Sequence, residues 1–387
     1  MKEVCVIGGG ASALMCACFA RENINLTIYE KTAKIGKKIL VSGNGRCNLT
    51  NKNMNKHSYN CRIDKYIKRF SNEDTIKFFN KIGLETYVDD EGRVYPISNS
   101  SQSVLDVLKN QIEQKNNVKT VQNAEIIDIY NKNGTYFVKF SDLTTKMFDA
   151  VVFASGNQTN LKLLDNFAIQ YKNFSPSLCS LNASVNKSLS GIRVSNVGVS
   201  CKICDDKFYE IGEVLFKENA LSGIVVFNLS SFMSRNNKYD NDVYIDFMPQ
   251  LNNDELKCKL KQRVVNLAKL KIKDFLTGFF AGPVAELILS SAHLNYNLAI
   301  STINEKQIDS IVDLIKNYHI KTFSPCDNNQ ICSGGVILDG LDDNLQSVNN
   351  QGLYFMGEVI DVDGVCGGYN LQWAWTSGKI VGESLWN

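Results

Sequence analysis

Short apolar runs closed by small residues dominate the first thirty positions. Val4-Cys5-Val6-Ile7 has no polar member and predicts a strand buried on both faces. Gly8-Gly9-Gly10-Ala11-Ser12-Ala13 follows as a tight turn. Residues 14–21 then predict a helix, and Leu26-Thr27-Ile28-Tyr29-Glu30 a second strand ending in a carboxylate. Helical spacing marks 64–70 and 72–82, where Ser71 and Asp74 form a capping pair and Gly83 a stop. Segments 84–88 and 93–95 flank Asp89-Asp90-Glu91-Gly92, a hairpin signal. Ser101 opens a helix to about residue 115. Strands are predicted at 118–124 and 125–130, then a meander at 136–140 and 146–148 with Asn133-Gly134 as a turn. Residues 149–153 form a buried strand that runs into Ala154-Ser155-Gly156.

The pattern changes at about residue 179. Short alternating segments at 195–203, 209–216, 223–229 and 243–248 predict a β-rich stretch. Residues 252 to about 318 predict helices, capped by Asn252 or Asn253 and interrupted at Gly278, Gly282 and Pro283. The last sixty residues return to the opening style. Cys332-Ser333-Gly334-Gly335-Val336 is a small turn into a strand, 352–356 is a buried strand ending in Gly357-Glu358, and 373–385 is a helix preceded by Gly367-Gly368. These shifts divide the chain into 1–178 plus 326–387, an inserted β-rich domain at 179–250, and an inserted helical subdomain at 251–325.

Composition adds limits. The 387 residues are 44% hydrophobic and 21% charged, enough for two or three domains with sizeable cores. A net charge of +2 gives no electrostatic case for nucleic acid or an anionic membrane. The apolar start lacks a convincing cleavage site, and no run reaches the roughly 18 residues of a membrane span. The expectation is a cytoplasmic chain that takes a small-molecule substrate; its oligomeric state is left open. Twelve cysteines read as free thiols. Cys201 and Cys204 form the one C-x-x-C, with no second pair at zinc spacing, and His57, His293 and His319 are scattered. No metal is expected.

The opening turn carries the first chemistry. Strand, Gly-x-Gly-x-x-Ala, helix, strand and acid form the dinucleotide-binding fingerprint in its required context. Gly8 allows the sharp turn, Gly10 admits backbone N–H groups to a pyrophosphate, and Ala13 keeps the helix near the sheet. The helix N-terminus contributes its unpaired N–H groups and positive dipole end. Glu30, twenty residues after Gly10, is placed to accept from adenosine ribose hydroxyls. Residues 31–51 form a basic, glycine-bearing loop without helix or strand period, including Ser42-Gly43-Asn44-Gly45-Arg46. It is placed to follow the phosphates and the second ring of a dinucleotide. A second helix start after Gly367-Gly368 offers a further positive field, suited to the pyrimidine edge of a flavin.

Four stretches resemble one family. They are residues 8–13, Ser42-Gly-Asn-Gly-Arg-Cys-Asn-Leu-Thr-Asn51, Gly334-Gly-Val336 and Gly357-Glu-Val-Ile-Asp-Val-Asp-Gly-Val-Cys-Gly-Gly-Tyr-Asn-Leu-Gln372. The chain is similar along nearly its whole length to the BaiN-like FAD-dependent oxidoreductases of bacteria, also described as aminoacetone oxidase family flavoproteins. Leu221-Ser222-Gly223 and Asp246-Phe-Met-Pro249 match two further motifs of that family. The resemblance implies an α/β fold: a Rossmann-like FAD-binding domain built from both chain ends, with an inserted β-barrel-like region and a small helical subdomain. It implies that Gly8, Gly10, Ala11, Ser12 and Ala13 hold the pyrophosphate, and Glu30 with Lys31 the ribose. Lys37, Ser42, Gly43, Gly45, Arg46, Cys47 and Asn48 would line the flavin and its phosphate, and Ile126 would meet adenine. Ala154, Ser155 and Gly156 resemble the second glycine-bearing turn of two-dinucleotide-fold flavoproteins. Gly357, Glu358, Gly368, Tyr369, Asn370 and Leu371 would bind ribityl and flavin. Departures from the family pattern are Ala13, Lys217-Glu218-Asn219, Ile224 and Cys366.

The implied activity is hydride transfer between flavin N5 and a small organic substrate. No second Gly-x-Gly-x-x-Gly occurs, so electrons would arrive or leave through a transiently docked NAD(P)H, through oxygen or through another partner. The family offers two versions: NAD(P)H-dependent reduction of an enone-like substrate, or an amine oxidase that makes peroxide. Twelve cysteines and the lack of an evident catalytic base tilt the choice toward the reductase. A non-catalytic flavin redox sensor or electron carrier is the other class. Catalytic residues are not assigned. Cys47, Cys366 and Tyr369 are candidates for redox or proton work, each with a packing role as the alternative.

Overall fold

The computed structural model describes residues 1–55, 57–327 and 329–386. Contacts divide the chain into two compact units, residues 1–175 with 331–387 and residues 176–330. Each unit has its own apolar core.

The first unit is built on a five-stranded parallel sheet. Its order is Leu353–Phe355, Ala150–Phe153, Lys2–Ile7, Ile24–Tyr29 and Val118–Val121. The inner strands are apolar without alternation because both faces are covered. Val4, Cys5 and Val6 are fully buried, as are all four residues of Ala150–Phe153. One edge strand comes from the C-terminal part of the chain and pairs beside an inner strand that precedes it by some two hundred residues in sequence. The Rossmann-like domain is therefore assembled from both chain ends. The first helix, Ala11–Phe19, crosses the last, Tyr369–Ser384, at close range. A Cβ on Gly378 would lie 2.4 Å from the Ser12 carbonyl oxygen, and one on Gly382 2.6 Å from that of Cys16. Two antiparallel sheets are appended: Ile126–Lys132, Thr135–Phe140 and Thr145–Phe148, and the smaller Thr50–Asn51, Arg93–Pro96 and Thr86–Val88.

The second unit is a closed six-stranded barrel with helices. Its order is Leu181–Ala183, Ala220–Ser222, Asp206–Lys217, Arg193–Ile203, Asn241–Asp246 and Tyr318–Pro325. Helices Asn253–Asn266, Gly282–Ser291 and Glu305–Lys316 lie between the last two strands in sequence.

Local signals set the helix starts. Ser71 with Asp74 and Asn252 with Glu255 both form full capping boxes. Two expectations need correction. Residues 223–229 were expected as a strand but begin the helix Ile224–Arg235. Its buried Val225, Val226, Leu229 and Met233 follow helical spacing, and the β-branched run at its start carries a strand-like composition. The loop at 31–51, expected without regular structure, contains a short helix, Lys37–Val41, a 3-10 turn, Ser42–Gly45, and the strand Thr50–Asn51. Helices this short fall below the window in which periodicity is visible. Among the described residues no helix is long and apolar enough to cross a membrane.

Candidate functional site

The fingerprint turn folds as the sequence predicts. Gly8 has φ +96°, and a Cβ there would sit 2.6 Å from Ser155 Cα. Gly8 thus serves the turn and lets the second turn, Ala154-Ser155-Gly156, approach the first. Gly10 is extended and opens the first helix, which has no side-chain cap. The nearest atom to a Cβ on Gly10 would be the Ala154 carbonyl oxygen at 3.7 Å, so space remains beside it. Ala11, Ser12 and Ala13 occupy the first turn, whose amides have no intrahelical acceptor. Ala13 is fully buried, and Ser12 Oγ donates to the Met356 carbonyl at 3.4 Å.

Glu30 braces this turn, a role the sequence does not reveal. Its Oε2 accepts from Gly9 N–H at 2.9 Å. Its Oε1 accepts from Thr32 N–H at 2.9 Å and Thr32 Oγ1 at 2.7 Å. A carboxylate offers about four lone-pair sites, so capacity remains for a ribose hydroxyl. Lys31 is exposed, and its Nζ reaches Gln158 Oε1 at 3.4 Å. Ala124 N–H donates to the Glu30 carbonyl at 3.0 Å, which sets the segment leading to Ile126 beside the acid.

The loop after Glu30 turns tightly. Ser42 Oγ donates to the Ile39 carbonyl, and Cys47 N–H to that of Ser42. A Cβ on Gly43 would meet Asn48 N at 2.8 Å, whereas one on Gly45 meets nothing within 4 Å. The Arg46 guanidinium lies 4.4 Å from the centre of the Tyr95 ring. Cys47 is fully buried, and burial pushes its thiol up to about 12. It stays protonated at neutral pH, which favours packing over redox work. Asn48 is 8% exposed, and its Oδ1 has no hydrogen-bond partner among the described residues. Lys37 is exposed, while Lys38 makes a 2.5 Å ion pair with Glu358.

The last helix brings its start to the same place. Gly368 caps it at φ +102°, and a Cβ there would lie 2.6 Å from the Thr50 carbonyl oxygen and 2.8 Å from Asn48 Oδ1. No other residue type fits without movement. The orphan oxygen of Asn48 therefore lies at the start of a helix that has no side-chain cap. Other motif residues hold the frame. Asn370 accepts from Gly364 N–H at 2.8 Å and donates to its carbonyl at 2.9 Å. Gln372, fully buried, accepts from Thr50 Oγ1 and donates to the Phe70 carbonyl. The indole N–H groups of Trp373 and Trp375 donate to the carbonyls of Gly357 and Leu49. Leu371 packs on the core. Tyr369 stacks edge-on against Tyr59, whose hydroxyl donates to the Tyr369 carbonyl at 2.8 Å. Burial raises both phenols, so both hold their protons.

Elsewhere, Cys201 is buried in a barrel strand and Cys204 is exposed beyond its end. His319 Nε2 pairs with Asp242 Oδ1 at 2.7 Å on the surface. No group of three or more potential metal ligands occurs among the described residues.

The geometry can be set beside known proteins. The chain is 29% identical to the 3-dehydro-bile acid delta(4,6)-reductase of Clostridium scindens, over 99% of each chain. It is 25% identical to the ribosomal RNA dihydrouridine synthase of Haemophilus influenzae, over 99% of this chain and 98% of that one. The enzyme of the same name from Escherichia coli is 24% identical, with the same coverage. The expectation of no nucleic-acid partner, drawn from net charge, finds no support in these relatives. The profile of the HI0933-like protein Rossmann domain matches residues 2–384, and the chain belongs to that family.

Proposed function

We propose that this chain is an FAD-dependent oxidoreductase that reduces a carbon–carbon double bond conjugated to a carbonyl, with NAD(P)H as transient donor. One observation carries the cofactor assignment. Two helix starts without side-chain caps, from opposite ends of the chain, lie in one unit, and the orphan Asn48 Oδ1 sits beside the second. A buried amide oxygen left without a partner costs about 1–3 kcal/mol, and a flavin edge can satisfy it. A Cβ on Gly10 would meet nothing nearer than 3.7 Å and one on Gly45 nothing within 4 Å, so neither glycine is hemmed in on its Cβ side.

In this reading the amides of the first turn, 10–13, hold the pyrophosphate, with the helix dipole favouring its charge. Glu30 holds the ribose, Asn48 and the helix start at Gly368 hold the isoalloxazine, and Glu358 lies on the ribityl side. A bound flavin supplies hydride at N5. Tyr369 keeps its proton at neutral pH and stands at the start of the last helix, so it is a candidate proton holder.

The relatives' names support the reaction class. A delta(4,6)-reductase of a 3-dehydro compound and a dihydrouridine synthase both saturate a double bond conjugated to a carbonyl. They differ in substrate, a small molecule or a pyrimidine in RNA, and identities of 29% and 25% do not separate the two. The small molecule is preferred because the chain's net charge of +2 offers little to a polyanion.

Anaerobic titration tests the reading. NADH or NADPH is expected to bleach the flavin, and a 4-ene-3-one to restore it faster than oxygen does. Fast re-oxidation by oxygen with peroxide would point instead to the oxidase. Turnover of uridine in ribosomal RNA, with none of the enone, would move the substrate to nucleic acid.

A further inference from the structure

We infer that Lys38, not the neighbouring Lys37, sets the charge of the flavin site by neutralising Glu358, and so acts as a positioning residue for FAD. This rests on the reading of the first unit as an FAD site. Lys38 Nζ lies 2.5 Å from Glu358 Oε2 and 2.8 Å from Asn157 Oδ1. Glu358 Oε1 accepts from Cys332 N–H at 2.9 Å, and Asn157 Nδ2 reaches Cys332 Sγ at 3.2 Å. Four segments meet here: the short helix Lys37–Val41, the second glycine turn, the strand Ile331–Val336 and the turn Gly357–Val359. Gly156 makes room for the pair, since a Cβ on it would come within 3.0 Å of Glu358 Oε2.

The Glu358 side chain is only 19% exposed, while that of Lys38 is 48% exposed. A carboxylate at that depth without a counter-charge is costly to desolvate, and it would repel the phosphates of a dinucleotide. Lys38 removes both penalties and fixes the carboxylate's direction. Its neighbour Lys37 is exposed and has no such link among the described residues.

The alternative is that Lys38 serves as a direct counter-ion to phosphate, and a double-mutant cycle separates the two. FAD affinity of the deflavinated protein, read by quenching of flavin fluorescence, is the measurement. Lys38→Met is expected to weaken FAD binding roughly tenfold by leaving a charge unpaired. Glu358→Gln removes the carboxylate's contact with the ribityl chain together with the pair, so the cycle is read in that background, where Lys38→Met is expected to cost less than about threefold more. A loss from Lys38→Met in the Glu358→Gln background as large as in the wild type would overturn the inference. So would an equal loss in Lys37→Met, which would make the loop's total charge the cause. If Lys38→Met does not fold, Lys38→Arg decides: it should hold FAD within about threefold, and a tenfold loss overturns the proposal. Wild-type protein that binds no FAD would defeat the cofactor reading itself. Wild type that binds FAD beside an unaffected Lys38→Met would defeat this inference alone.

Discussion

Asn48 holds a buried Oδ1 beside the start of the last helix, with no partner among the described residues. Asn48→Ala should therefore cost the flavin-free protein less than about 1 kcal/mol, because an unsatisfied group is removed. The same change should weaken FAD binding clearly; thermal melting with and without FAD measures both. The spacing predicts Glu30 as a ribose acid. Its bonds to Gly9 and Thr32 were not legible, because they depend on where the turn closes. Glu30→Ala is expected to reduce FAD affinity more than tenfold, by removing both the ribose acceptor and the brace of the turn; isothermal titration checks it. Lys37 and Lys38 look alike in sequence, and only the direction of a short helix distinguishes them. The buried thiols make a pH prediction. Cys16, Cys18 and Cys47 rise from 9.0 to about 12, chiefly through burial. The unfolded chain releases these protons first, so the contribution is complete below pH 9 and is lost as pH rises toward 12. Denaturant midpoints should fall steadily across that window, and Cys47 should resist alkylation at neutral pH while the exposed Cys204 and Cys258 react.

Elements whose signals are local came through the sequence well. The capping boxes at Ser71 and Asn252 need only four consecutive residues, and the buried strands only an apolar run. The helix Ile224–Arg235 did not, because Ile-Val-Val-Phe fits a strand equally well until its partners are known. The crossing of the first and last helices was invisible for the same reason. Gly378 and Gly382, which carry no Cβ, are what lets Ser12 and Cys16 approach. Gly382→Ala raises helix propensity but must displace the Cys16 carbonyl. It should lower stability by roughly 1–3 kcal/mol, read as a fall in melting temperature. An unchanged or higher melting temperature would show that the crossing relaxes freely.

At the scale of the molecule, return of the chain to its opening fold was legible because the glycine-rich style reappears after residue 331. The barrel was implied by the family resemblance and is closed in the structure, but the pattern of residues alone did not show it. Two of its strands have three residues each, and its last strand, Tyr318–Pro325, follows three helices. Since the first unit needs Leu353–Phe355 and the helix with Trp373 and Trp375, a chain ended at residue 330 should fail to form it. Such a truncation is expected to bind no FAD and to aggregate on expression. The central claim is that this unit holds resident FAD, and it is tested most directly by mass spectrometry of the nucleotide released by heating the purified protein. The account predicts FAD in stoichiometric amount, with none left after exhaustive dialysis of the Asn48→Ala protein. Release of NAD in place of FAD, or failure of apoprotein to take up added FAD, would contradict it.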